Sequence, residues 1–338
     1  MNKPKSLVLG GGGFIGGHLI DSLKSQGHWV RSVDLVPNLY GAIPDDFVLG
    51  DLRNMDLMKR VISIDTNGSI TAFDYVYQLA ADMGGAGFIF SGDNDAEIMH
   101  NSATINLNLL NAQLVQSKTF GTKPPQFFYS SSACVYPESL QTETVNPGLK
   151  ESDAYPAGPD SEYGWEKLFG ERLFMAYSRN HEFPVRIARF HNIFGPKGTW
   201  KGGREKSPAA ISRKVAQAQN GGSIEVWGDG NQTRSYLFID ECIEGINRLM
   251  QSDFVYPLNL GSDYSISINQ LVELVSEVAE KQIKIKHIDG PLGVRGRRSD
   301  NTLIQEVLGW KPTLPLIVGI RKTYNWINEQ LKNEVSDA

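Results

Sequence analysis

One short run, LVLGGGGFIGGHLI from Leu7 to Ile20, limits the possible folds more than any other part of the chain. An apolar stretch breaks at four consecutive glycines and resumes with helical spacing, and Gly10, Gly13 and Gly16 fall in a G-x-x-G-x-x-G pattern. A strand, a tight turn and a helix in that order aim free N–H groups and a positive dipole end at a pyrophosphate. The missing side chains let it come close. Asp34 closes the next β-rich run, WVRSVD (29–34), about twenty residues on, where a carboxylate binds ribose hydroxyls and repels a 2′-phosphate. The pattern predicts a dinucleotide site and favours NAD over NADP. Arg31, a nearby cation, is expected on the other side of its strand or farther back. Phe14 and Ile15 inside the turn, Asp51 and Leu52 after a third strand, and Ala80 at the end of YVYQLA (75–80) complete the expected cofactor contacts. Asp51 is the one placed to bond the adenine amino group.

The same alternation continues. SLVLG (6–10), WVRSVD, YVYQLA and QFFYSS (126–131) read as buried strands, and the apolar periodicity of 96–118 reads as a helix. A further helix and strand follow at 163–180 and 184–190. Strands alternating with helices predict an α/β fold, a Rossmann-like doubly wound parallel sheet with right-handed crossovers. After residue 191 the texture changes to Gly-, Pro- and Trp-rich segments, which usually carry ligand contacts. A smaller C-terminal α/β part for substrate is therefore expected, with amphipathic helices at 268–281 and within 313–334. The expected division is 1–188 with a return near 235–255 for the cofactor, and 189–234 with 256–334 for the substrate, the two packed together without a linker.

Composition removes several classes. No apolar run approaches the ~20 residues a bilayer crossing needs, and the chain enters its first strand without an apolar leader. A net charge of −5 argues against non-specific nucleic-acid binding. Two cysteines, Cys134 and Cys242, make no disulfide framework and suit a reducing cytoplasm. Six histidines without ligand spacing, and no C-x-x-C, predict no metal.

Tyr163 and Lys167 in EYGWEKLFG are four apart and so share a helical face. A nearby ammonium lowers a phenol's pKa and can hold a nicotinamide ribose. Following the glycine turn and the serine-ended strand, this spacing resembles the extended, sugar-nucleotide-modifying branch of the short-chain dehydrogenases/reductases. The resemblance implies that Ser132 bonds a substrate hydroxyl, Tyr163 takes its proton and NAD⁺ takes the hydride. Related dehydratases carry Asp and Glu after the catalytic hydroxyl residue, whereas this chain has Ala133 and Cys134, so that acid pair is missing. Cys134 is then a candidate base at a carbon beside the new ketone. It needs an acid on the opposite face, and Lys201 or Lys206 in GTWKGGREKSP can supply one. On composition alone, a small packed thiol is as good a reading.

The runs LAADMGGAGFI (79–89), SSACVYPE (131–138), RFHNIFGPKGTWKGGREK (189–206), WGDGNQTRS (227–235) and LGVRGRRSDN (292–301) are similar to those of the GDP-mannose 3,5-epimerase family. That resemblance, from about residue 5 to about 330, implies oxidation at C4, inversion at C5 and C3 through enolates, and re-reduction, giving GDP-L-galactose and GDP-L-gulose. It implies Cys134 as the base, with Lys206 the opposing acid and Lys201 second choice. Ser132, Tyr163 and Lys167 form the redox set. Ala133, Glu205, Gly84 and Asn192 are implied sugar or phosphate contacts, and Gln232, Thr233, Arg234, Arg297 and Lys214 hold the GDP moiety. The two long helices resemble the family's homodimer surface. A 4-epimerase or 4,6-dehydratase of the same fold, or a silent NAD-binding sensor, stays open beside it.

Overall fold

The computed structural model describes residues 3–66 and 69–336. Seven strands form the central sheet: β1 (Lys5–Leu9), β2 (Trp29–Asp34), β3 (Asp46–Leu49), β4 (Tyr75–Gln78), β5 (Gln126–Ser132), β6 (Val185–Phe190) and β7 (Pro257–Leu260). Their order is β7-β6-β5-β4-β1-β2-β3, and every pairing is parallel. The order reverses between β1 and β4, so the crevice at their carboxyl ends is the natural ligand position of such a sheet.

Because the sheet is buried on both faces, successive residues of a strand enter different cores. Val8, Tyr77, Phe128, Ala188 and Leu258 share one apolar cluster with α1 (Phe14–Ser25). Leu7, Leu9, Val76, Phe127, Tyr129 and Ile187 share another with α2 (Met55–Val61), α3 (Asp95–Phe120) and α4 (Glu162–His181). The remaining chain adds α5 (Ser207–Gln217), α6 (Ile239–Gln251), α7 (Ile268–Val278) and α8 (Leu316–Ser336). Small sheets accompany them: Ser223–Trp227 with Lys284–Ile288, and Ser265–Ser267, Thr233–Ser235 and Gly296–Arg297. The first cluster runs on without a break through Val215, Val226, Ile246 and Val275.

Two boundaries differ from the sequence reading. The return to the sheet ends not near 255 but at Leu260, because the four-residue β7 itself lies beyond it. The helix read over 96–118 runs farther: α3 continues to Phe120 and Gly121 terminates it at φ +63°, a left-handed stop that a glycine accepts readily. Among the described residues, no helix is long and apolar enough to cross a membrane, and no cluster of three or more His, Cys, Asp or Glu could hold a metal.

Candidate active site

At the end of β1 the chain turns at Gly10, φ +88°, where a Cβ would stand 2.7 Å from the Ala80 nitrogen. A Cβ on Gly16 would lie 2.2 Å from the Gly10 carbonyl oxygen, so these two glycines let the turn, α1 and β4 close on one another. Gly13 differs. A Cβ there would meet only the Gly10 oxygen, at 3.4 Å, so its bareness serves something outside the protein. Gly13 also caps α1 without a side-chain hydrogen bond, and no acid occupies the first turn, so the N–H groups of Phe14, Ile15 and Gly16 suit an anion. Asp34 accepts the Gly12 N–H at 2.9 Å, and burial pushes its carboxyl upward. Arg31 turns away to Asp46, at 2.7 Å, and to the Val61 and Ser63 carbonyls. Asp51 is held at 2.6–3.0 Å by its own neighbour Arg53, which an adenine amino group would have to displace. Leu52 is buried behind it. Cradle, carboxylate and cation-free strand end together fit NAD.

Ser132 ends β5, and its hydroxyl accepts the Cys134 N–H at 3.2 Å. Tyr163 stands in the first turn of α4, whose N-terminus Ser161 caps by accepting the Gly164 N–H at 3.2 Å. Gly164 seats this turn directly on the thiol's backbone: a Cβ there would lie 2.2 Å from the Cys134 carbonyl oxygen. The Lys167 ammonium lies 5.7 Å from the Tyr163 ring centre and 5.2 Å from that of Tyr129. Burial lowers the Lys167 pKa and pushes the Tyr163 phenol well up, with the Ser132 hydroxyl opposing the second shift.

A cleft of about 360 Å³ brings the thiol and Tyr163 together, and Lys167 is buried outside its lining. Ser132, Ala133, Cys134 and Tyr163 line it, as do Gly84, Asn192, Glu205, Lys206 and Lys214, and also Gln232, Arg234 and Arg297. Lys206 precedes α5 as its N-cap, and burial lowers its pKa. Burial raises the Cys134 thiol, and Asp160 adds to this against Arg297 and Ser132. The two groups face the same cleft, where one can take a proton and the other give one. Lys201 is elsewhere, exposed and paired with Glu334.

The remaining contacts are specific. Glu205 pairs with Arg213 at 2.8 Å and accepts the Gly203 N–H. Lys214 donates to the Glu225 carbonyl at 2.6 Å, and Asn192, at φ +46°, donates to the Ser235 carbonyl. Arg234 donates to the Thr233 and Leu292 carbonyls, and burial with Arg297 nearby brings it down to about 10. Gln232 donates to the Trp227 carbonyl while its buried Oε1 has no partner among the described residues, an acceptor open to a ligand. Thr233 does not line the cleft; its hydroxyl donates to the Thr144 carbonyl at 2.6 Å and ties two loops. Arg297 lines the cleft and spends three of its five N–H donors on Cys134, Gln141 and Asp160.

Sequence reasoning missed Asp160 and Gln141, and also the walls formed by Phe90, Trp227 and Leu292. Met83 lines the cleft as well, whereas Trp200 is buried away from it. Cys242 is sealed in the core on α6.

Residues 6–261 match the model of the NAD dependent epimerase/dehydratase family. The chain belongs to that family. Among curated members of the epimerase/dehydratase family, GDP-mannose 3,5-epimerase 1 of Oryza sativa subsp. japonica is 49% identical over 98% of this chain and 84% of its own length. The GDP-mannose 3,5-epimerase of Arabidopsis thaliana gives the same identity and shares. UDP-glucuronic acid decarboxylase 6 of Arabidopsis thaliana is 30% identical over 93% of this chain and 86% of its own. In fold, UDP-glucose 4-epimerase of Thermotoga maritima superposes with a TM-score of 0.80 at 23% identity, over 97% of this chain and 99% of that one.

Proposed function

We propose that this epimerase/dehydratase family member converts GDP-D-mannose to GDP-L-galactose, and to GDP-L-gulose when only C5 inverts. The observation that carries the reading is the placing of Cys134 and Lys206 on the walls of the same cleft as Tyr163, in a chain 49% identical to GDP-mannose 3,5-epimerases over nearly its whole length. A dehydratase would need carboxylates where Ala133 and Cys134 stand.

In this reading NAD, held by Gly10, Gly13, Phe14, Ile15, Gly16, Asp34, Asp51, Leu52 and Ala80, supplies hydride acceptance at C4 and its later return. Ser132 bonds the C4 hydroxyl and Tyr163 removes its proton, with Lys167 stabilising the phenolate. A ketone at C4 acidifies the C5 and C3 hydrogens. Cys134 then takes the proton as a thiolate, the C–H electron pair enters the enolate, and the Lys206 ammonium protonates the opposite face. Gly84, Ala133, Asn192, Glu205 and Lys214 surround the sugar and phosphates. Gln232 and Arg234 meet the nucleotide, with Thr233 shaping their strand from behind. Arg297 touches the thiol and, from the cleft wall, is also within the site that takes the GDP moiety.

We further propose a division into a sheet part, 1–188 with the return through β7, and a nucleotide-sugar part formed by the rest. A homodimer through α3 and α4 is supported by Leu107, Trp165 and Phe169, which are large, apolar and exposed on those helices. Two buried free cysteines support a cytoplasmic, reducing setting.

The test is NMR of GDP-mannose incubated in D₂O with wild type and with Cys134→Ala. Deuterium is expected at C5 and C3 with the wild type alone. No exchange by the wild type, with NAD bound and substrate intact, sinks the reading.

A further inference from the structure

Two buried side chains beside the cleft have no part in the chemistry described so far. Asp160, in the loop before α4, and Gln141, after the short helical turn Glu138–Leu140, are each 1% exposed. Both converge on Arg297. Its Nε donates to Gln141 Oε1 at 2.5 Å, one terminal nitrogen donates to Asp160 Oδ2, and the other lies 3.2 Å from Cys134 Sγ. The two holders are themselves fixed. Ser161 Oγ donates to Asp160 Oδ1 at 2.9 Å, and Gln141 Nε2 donates to the Tyr136 and Pro137 carbonyls, each at 3.1 Å.

A guanidinium is planar and its donors form a rigid fork, so binding two of its edges fixes where the third points. Here the third edge meets sulfur. We infer that Asp160 and Gln141 are positioning residues for the inversion step, locking the Arg297 guanidinium against Cys134 so that the thiol keeps one orientation and one hydrogen-bond donor through the turnover. The inference rests on the functional reading above, in which Cys134 exchanges protons with substrate carbon.

Charge gives the arrangement its second purpose. A buried guanidinium without a counter-ion is costly and would hold a neighbouring thiolate too firmly for it to accept a proton. The Asp160 carboxylate supplies the counter-charge from the far side of the fork. Besides this pair, Cys134 faces the Lys206 amine, the Arg234 guanidinium, the Tyr163 phenol and the Ser132 hydroxyl. Asp160 is the one carboxylate in that set.

The experiment uses the NAD-loaded enzyme with Asp160→Asn and, separately, Arg297→Gln. Iodoacetamide labelling of Cys134 is followed across pH by mass spectrometry, which distinguishes it from Cys242 and needs no substrate. Asp160→Asn is expected to move the labelling titration down by about one pH unit and Arg297→Gln to move it up. With GDP-mannose in D₂O, Asp160→Asn should lose about tenfold in deuterium uptake at C5. Oxidation at C4, read as reduced-nicotinamide absorbance, should stay within about threefold, because Tyr163 and Lys167 keep their side chains and Asp160 is the least of the influences on the Tyr163 phenol. Displacement of both titrations in one direction, no displacement, or an equal fall of uptake and C4 oxidation overturns the inference. Should one variant fail to fold, the other still reports its own sign. A wild type that takes up no deuterium overturns the functional reading and the catalytic role of the clamp with it, while opposite titration shifts would still establish the clamp itself.

Discussion

His191 shows how a single residue carries a pH dependence unrelated to catalysis. It is fully buried, and its Nε2 lies 2.9 Å from Asn259 Oδ1, which also accepts the Tyr136 hydroxyl at 2.6 Å. Its Nδ1 has no partner among the described residues, and burial lowers its pKa to about 3. The unfolded chain therefore takes up a proton below about pH 6.5 that the folded chain refuses until near pH 3. Stability from this residue is complete above pH 6.5 and falls with pH across that window, at up to about 1.4 kcal/mol per unit. Urea unfolding at pH 7.5 and 5 should show a smaller acid loss in His191→Gln than in wild type; equal losses would refute the assignment. Single residues were legible in the sequence where their type is rare or their spacing short. Cys134 stands out as one of two cysteines, and Tyr163 with Lys167 are one helical turn apart. Asp160 was not legible, because its partner Arg297 lies 137 positions away and nothing local marks either as paired.

At the scale of elements, α3 and α4 carry a surface that their own packing does not use. Asn106 donates to Glu166 at 3.1 Å between the two helices, while Leu107, Trp165 and Phe169 remain 46%, 42% and 45% exposed. Trp165 and Phe169 are one turn apart and present a common face. Leu107→Glu combined with Phe169→Glu is expected to halve the particle mass in light scattering, since two buried charges at an apolar interface cost several kcal/mol. A wild type that is already monomeric would end the dimer proposal. Regular elements were read well from the chain: β2 and β4 begin at the predicted residues, and α4 at Glu162 lies one residue from the predicted start. Periodicity failed at ends. Lys118–Phe120 continue α3 although their composition resembles a loop, and Gly121 rather than polarity sets the stop. Strand β7, PLNL, opens on a proline and breaks its leucines with Asn259, so its place in the sheet emerges only from pairing with β6.

Across the whole molecule, one apolar cluster joins the sheet to the helices that wall the sugar cleft. Binding at the glycine turn is therefore expected to stabilise the entire chain rather than one half. A ligand at one hundred times its Kd adds about 2.7 kcal/mol. Adding NAD to stripped enzyme should raise a single thermal transition, and Asp34→Ala should reduce that gain; two transitions, with only one responding, would contradict the shared core. The architecture was legible because alternation of strand and helix is a whole-chain signal. The cleft's apolar walls, Phe90, Trp227 and Leu292, were not, since they come from separate segments and each alone is an ordinary surface residue. The contact of Gly164 with the Cys134 backbone has one more outcome. It makes reaction type and reaction geometry separately heritable. On the role proposed for Cys134, a change of side chain at 134 would alter the carbon-centred chemistry while the hydride machinery stays in register, whereas even one methyl at 164 would press on the Cys134 carbonyl and move both at once.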